Sequence, residues 1–155
     1  MDKGGQGEKL RIVVDASVVA KWIIPGEPWE EQARVLRDTI VSGSVEAYIP
    51  VLLLYEVASV ILRACSRGIL KLSDCMEALK ALKYIGLNIQ ATEWEDLVEI
   101  LNIATAAKLT VYDSTYIHLA KKMNAQLITA DRQLKGSCGN ISKVVLLEEL
   151  NGLSI

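Results

Sequence analysis

Short apolar runs rich in β-branched residues alternate with helical stretches along this chain, and two of the runs end directly in aspartate. Arg11-Ile12-Val13-Val14 leads into Asp15, and Leu127-Ile128-Thr129-Ala130 leads into Asp131. An apolar run of four or five residues bounded by turn signals reads as a strand covered on both faces. Strands of this kind separated by helices predict an α/β fold, a three-layer sandwich around a parallel sheet. The strands are expected at 10–14, 45–49, 87–90, 126–130 and 143–146. Sites in open α/β sheets form outside the C-terminal strand ends, so both aspartates point to one rim if their strands are neighbours.

The helices between these strands carry their own signals. Residues 16–23 predict a short helix, which Pro25, Gly26 and Pro28 break. Trp29 to Val41 has helical periodicity and stops at Ser42-Gly43. Pro50 suits the first turn of a helix that runs to about Arg67 and ends at Gly68, with Arg63 and Arg67 at its negative end. Ser73 is expected to cap a helix through Tyr84, and Thr92 with Glu95 to form a capping box for a helix through Ala107. Asp113 opens a further helix that Asn124 ends. Residues 1–9 read as a flexible polar tail, and 10–155 as a single domain.

Apolar residues make up 51% of the chain, which excludes wholesale disorder, and Phe is absent, so Val, Ile, Leu and Ala must build the core. The longest apolar stretch, 47–62, is interrupted by Pro50 and Glu56 and is too short to cross a bilayer. The N-terminus lacks the apolar segment of a signal peptide, so a cytoplasmic location is expected. The three cysteines are odd in number and lack zinc spacing, which fits separate thiols in a reducing compartment. A net charge of −2 excludes a strongly basic, non-specific nucleic-acid coat.

Two further acids lie in apolar surroundings: Glu56, after Leu52-Leu53-Leu54-Tyr55, and Asp113, after Leu109-Thr110-Val111-Tyr112. A buried, unpaired carboxylate costs several kcal/mol. Four such costs would use up most of the roughly 5–15 kcal/mol that holds a domain together. Each acid has a local alternative, since Asp15 and Asp113 suit helix caps and Asp131 a turn. Glu56 has none, because Leu52, Leu53, Ser59 and Val60 occupy its i±3 and i±4 positions and no base is among them. A shared divalent cation satisfies all four acids together. Oxygen donors favour hard Mg²⁺ or Mn²⁺, and such a centre suits phosphodiester hydrolysis. Lys21, Arg132 and Lys135 are near the rim in sequence as phosphate contacts, with ordinary solvated side chains as the alternative. His118, the only histidine, reads as a surface or core residue.

In their order along the chain, Val14-Asp15-Ala16-Ser17, Tyr55-Glu56-Val57, Tyr112-Asp113-Ser114-Thr115-Tyr116 and Leu127-Ile128-Thr129-Ala130-Asp131-Arg132 resemble the motifs of PIN-domain nucleases. The likeness spans roughly residues 10–148 and is specific as a set, in particular to the VapC-type toxins of toxin–antitoxin pairs. It implies a five-stranded parallel sheet and a metal-dependent endoribonuclease. It makes Asp15, Glu56, Asp113 and Asp131 the catalytic, metal-holding acids, with Ser17 and Thr129 as supporting hydroxyls. It also implies an RNA substrate and a small antitoxin partner, and favours a homodimer face on the apolar helix 51–62, where burial in the core is the first explanation. Tyr84 and Trp94 are expected in the core or an interface.

Three rivals remain at this stage. One is a non-catalytic RNA- or protein-binding module, against which the complete acid set argues. Another is an RNA-processing nuclease without an antitoxin. The third is an aspartyl-phosphate enzyme, which generally needs a second acid two residues after the first, where this chain has Ser17.

Overall fold

The structure is a computed structural model that describes residues 7–150. Five strands form one all-parallel sheet: β1 (Arg11–Val14), β2 (Glu46–Pro50), β3 (Asn88–Gln90), β4 (Gln126–Thr129) and β5 (Val144–Leu146). Their spatial order is β3-β2-β1-β4-β5. β1 is therefore central, pairing Ile12 with Ala47 on one side and Val13 with Leu127 on the other. Double coverage explains its composition, because Ile12, Val13 and Val14 are all at most 1% exposed. Strand order reverses around β1, and the C-terminal ends of β1 and β4 lie side by side at this switch point, where crevices form in such sheets. The two strand-end aspartates are therefore neighbours.

Seven helices accompany the sheet among the described residues: α1 (Ala16–Val19), α2 (Glu30–Val41), α3 (Leu52–Ser66), α4 (Leu72–Leu82), α5 (Trp94–Ala107), α6 (Val111–Lys122) and α7 (Arg132–Cys138). A 3₁₀ turn, Ala20–Trp22, extends α1, and another, Leu147–Glu149, follows β5. α6 packs over β1, β2 and β4, while α7 packs on β4 and β5. Leu53, Val57, Ile61 and Ala64 form the buried stripe of α3. Gly68, just beyond that helix, adopts φ 72°, the left-handed conformation that ends helices and that only glycine takes without penalty.

Several local expectations shift. Pro50 is the last residue of β2, opposite Gln90, rather than part of a helix. Its missing N–H is harmless at a strand end, and α3 starts at Leu52. α4 begins at Leu72 behind an extended Lys71, so Ser73 lies inside the first turn. The α5 box lies one residue later than expected: Asp96 Oδ2 accepts the Glu93 N–H at 2.8 Å. α6 starts two residues before Asp113, and Thr110 caps it. α7 leaves little mark in the sequence, because Gly136 and Ser137 weaken its propensity, and Asp131 caps it.

Cys65 on α3 and Cys75 on α4 face each other with their Cα atoms 7.5 Å apart, wider than a disulfide spans without backbone movement, and Cys138 is a buried thiol. The two facing cysteines come from consecutive helices that pack together, a contact no spacing rule encodes. Tyr84 and Trp94 are 80% and 83% exposed, which removes the core explanation for both. Residues 1–6 of the expected tail and 151–155 of the expected domain lie outside the described residues; Gly7–Lys9 are exposed and without regular structure. No helix among the described residues is long and apolar enough to cross a membrane.

Candidate functional site

Asp15 follows β1 with an extended backbone, and its N–H binds Ile128 O of β4 at 3.0 Å. Its carboxylate makes no cap bond to α1. Two hydroxyls reach one of its oxygens: Ser17 donates to Oδ2 at 2.8 Å and Thr129 at 2.7 Å. Each hydroxyl also accepts from the chain after β4, Ser17 from Ala130 N–H at 3.0 Å and Thr129 from Asp131 N–H at 3.1 Å. Ser17 and Thr129 thus orient Asp15 and fasten the backbone of Asp131 beside it, while Asp15 Oδ1 has no side-chain donor.

The other acids approach from helices. Glu56 lies on α3, half-buried, and Tyr116 donates its hydroxyl to Oε1 at 2.8 Å. Asp113 is the third residue of α6. Its N–H binds the Thr110 hydroxyl at 3.0 Å, so Thr110 caps the helix and the Asp113 carboxylate is not needed for that role. Tyr116 follows Asp113 by three residues, which places both on one face of α6. Asp131 is exposed and caps α7, with Oδ1 accepting from Gln133 N–H at 2.9 Å and Leu134 N–H at 3.2 Å. Only Asp15 is fully buried, at 8% exposure, so the cost argument holds for it in full and for the others in part.

The acids sense one another. Burial pushes Asp15 above the usual carboxylate range against the pull of Thr129 and Ser17, and Asp113 adds repulsion. Burial raises Glu56 against the Tyr116 hydroxyl, and Asp15 and Asp113 push the same way. Burial also raises Asp113, with Thr110 opposing and Asp131 reinforcing the shift. The Tyr116 hydroxyl is driven far above an ordinary phenol by burial and then by Asp15 and Glu56, so it stays a proton donor. A chain of repulsion therefore runs through all four acids. Among the described residues, no Lys, Arg or His is in a salt bridge with any of them. Nor do three or more Asp, Glu, His or Cys side chains there stand close enough together, as placed, to hold a metal ion among them.

The bases are engaged elsewhere. The Lys21 ammonium is 3.7 Å from Glu27, beside a cavity of about 310 Å³ that Trp22, Arg34 and Arg37 also line. Arg132 grips Glu148 with two bonds, at 3.0 and 2.7 Å, and Lys135 binds Glu149 at 2.7 Å. The groove that opens beside the acids, about 370 Å³, is lined by Ser17 and Glu56 with Tyr55, Val60, Arg63 and Tyr112. Sequence reasoning missed Tyr116, although its three-residue spacing from Asp113 was a usable signal. It also missed a second buried acid, Asp96, which binds His118 at 2.8 Å and Lys122 at 3.1 Å.

A family model described as the PIN domain matches residues 12–138, a span that includes all four acids. The chain belongs to the PIN-domain family. Among proteins of this family, Ribonuclease VapC3 of Pyrobaculum aerophilum is 33% identical over 129 residues, which is 81% of this chain and 92% of that protein. The PIN fold recurs in the crystal structure of PAE2754 from Pyrobaculum aerophilum, with TM-score 0.68 and 21% identity over 91% of this chain and 86% of that one. It recurs again in VapBC2 from Rickettsia felis bound to a DNA fragment from their promoter, with TM-score 0.67 and 12% identity over 88% of this chain and 98% of that one.

Proposed function

We propose that this PIN-domain protein is a divalent-cation-dependent endoribonuclease that hydrolyses RNA phosphodiester bonds, and that it acts as the toxin of a toxin–antitoxin pair. The observation that carries this reading is the run of mutually repelling carboxylates at the β1/β4 switch point, with no basic side chain among the described residues paired to them. The ribonuclease name of the 33% identical relative supports the substrate class.

The donor set fits Mg²⁺ or Mn²⁺. Its oxygens are hard, and a cation relieves the repulsion that raises Asp15, Glu56 and Asp113. Mg²⁺ takes one or two carboxylates directly and keeps several waters, so it does not need three or more of these acids drawn together around it. Asp15, Glu56, Asp113 and Asp131 would hold it. When bound, the cation supplies Lewis acidity toward a phosphodiester oxygen and an attacking water. The chain does the rest. Ser17 and Thr129 hold the Asp15 carboxylate, and Tyr116 holds Glu56. Lys21 and Arg132 would share their charge between a phosphate and the carboxylates of Glu27 and Glu148.

The same reading includes a cytoplasmic location, a small antitoxin that covers the acids, and a homodimer. Leu54 and Leu62 support the last, because they leave the apolar α3 44% and 65% exposed beyond its core stripe. The central test is RNA cleavage in a Mg²⁺ or Mn²⁺ titration. Cleavage should need the cation, and Asp15→Asn should lower it on the order of 10³-fold while the fold is kept. Undiminished cleavage in EDTA, or by the variant, overturns the assignment. The product of a short neighbouring reading frame should co-purify with the protein and inhibit it.

A further inference from the structure

The groove beside the acids has a construction of its own. Its floor is made of small residues, Ala16, Ser17 and Ala20, which leave room above α1 and the turn that extends it. Tyr55 and Tyr112 stand on its walls, 71% and 63% exposed. Each tyrosine directly precedes a site acid, Tyr55 before Glu56 and Tyr112 before Asp113. Successive helical residues are rotated by about 100°, so a helix that turns its acid to the rim presents the preceding ring alongside it. Glu56, Ser59 and Arg63 line the groove at helical spacing on α3, which puts Arg63 about 10 Å along the axis from Glu56. Arg63 is exposed and forms no salt bridge among the described residues.

We infer that this groove is the subsite for the nucleotide next to the scissile phosphate of a single-stranded RNA: Tyr55 and Tyr112 stack its base, and Arg63 takes its outer phosphate. The inference rests on the nuclease reading, because Glu56 is shared by the groove and the acid site. A strand whose phosphate lies at the acids must pass its adjoining nucleotide along a neighbouring surface, and this groove is continuous with Glu56 and Ser17. A cavity of about 370 Å³ falls within the range of small-molecule sites, roughly 300–1,000 Å³. Exposed rings and one unpaired guanidinium are what binds unpaired RNA, since every base has a π-face and stacking tolerates sequence. The single phosphate contact also agrees with a chain of net charge −2, which has no broad basic track.

The test is steady-state cleavage of short oligouridylate and oligoadenylate by the full-length protein with Mn²⁺. Tyr55→Ala and Tyr112→Ala should each raise KM about tenfold, with a smaller effect on kcat, and Tyr→Phe at either position should keep the parent KM because stacking needs only the ring. Arg63→Ala should flatten the dependence of log(kcat/KM) on log salt by about 0.7, the loss of one single-strand phosphate contact. All three side chains are exposed, so unchanged thermal midpoints confirm intact folds. If the parent cleaves RNA and both alanine variants keep its KM, this subsite is refuted and the nuclease reading stands. If they keep its KM but no longer bind the co-expressed antitoxin, the groove is a seat for protein and the inference is equally refuted. If the parent cleaves no RNA under any cation, the nuclease reading fails and the subsite falls with it.

Discussion

Asp15 and Asp96 are both 8% exposed, yet the protein treats them in opposite ways. Asp96 is held well below the usual carboxylate range by the Glu93 N–H, then by His118 and Lys122, which together outweigh its burial. Its carboxylate can only accept, so His118 Nε2–H donates to it. Burial raises Asp15 against two hydroxyl donors, with Asp113 adding repulsion and no basic side chain among the described residues paired to it. One acid is satisfied by its own chain, and it ties α5 to α6. The other is left short of positive charge at the rim where the chain reverses its strand order. Burial alone therefore does not mark a functional acid. An acid that is buried and denied a basic partner costs stability, a condition that persists where something else supplies the charge.

The sharpest way to break this contrast is to neutralise each acid in turn. Beyond its effect on cleavage, Asp15→Asn should make the cation-free protein more stable at neutral pH, whereas Asp96→Asn should destabilise it by about 2 kcal/mol, discounted for the half-exposed Lys122. Chemical denaturation in EDTA reads both signs, and destabilisation by Asp15→Asn would end the comparison.

The pH dependence should separate the two acids next. The raised acids, Asp15, Glu56 and Asp113, contribute fully below the ordinary carboxylate values of 3.8 and 4.5, and that contribution is lost as pH rises through their elevated values. Asp96 contributes above 3.8, and its contribution is lost as pH falls toward its depressed value. In EDTA, the stability gained by Asp15→Asn should therefore grow with pH, and the stability lost by Asp96→Asn should shrink in acid. Mn²⁺ should raise the parent's thermal midpoint near pH 7.5, lose that effect near pH 4, and leave Asp15→Asn almost unmoved. A shift of equal size at both pH values would mean that the cation binds away from these carboxylates.

A smaller effect is expected where the site leans on its support. Tyr116→Phe keeps the buried ring and removes the hydroxyl from Glu56, so Mn²⁺ affinity should fall about tenfold while stability changes by about 1 kcal/mol. Isothermal titration measures the first, and parent-like affinity would show that Tyr116 only fills space. Smallest of all, Ser114 Oγ is fully buried on α6 without a hydrogen-bond partner. Ser114→Ala should add about 1 kcal/mol to stability, readable in urea denaturation.

Much of the architecture was legible because it is written in neighbours along the chain. Four of the five strands lie where short apolar runs stand between helical patterns, β3 is a mostly polar edge strand, and Gly68 ends α3 as a left-handed glycine does. The boundaries that moved did so for tertiary reasons. Pro50 joins a strand because Gln90 pairs beside it, and α7 forms despite Gly136 because Asp131 caps it and it packs on β4 and β5. The approach of Cys65 to Cys75 could not be read from spacing, since it depends on how α3 meets α4.

By itself, the sequence determined the alternation of strands and helices, the aspartates that follow two strands, and the oxygen chemistry of the acids. These follow from side-chain shape, periodicity and propensity, which act over a few residues. Only the tertiary structure decided which acids found partners. His118 reaches Asp96 across 22 positions, Tyr116 reaches Glu56 across 60, and Thr129 reaches Asp15 across 114. Electrostatic satisfaction depends on distance in space, and chain separations of this length carry no record of it until the sheet has closed around β1.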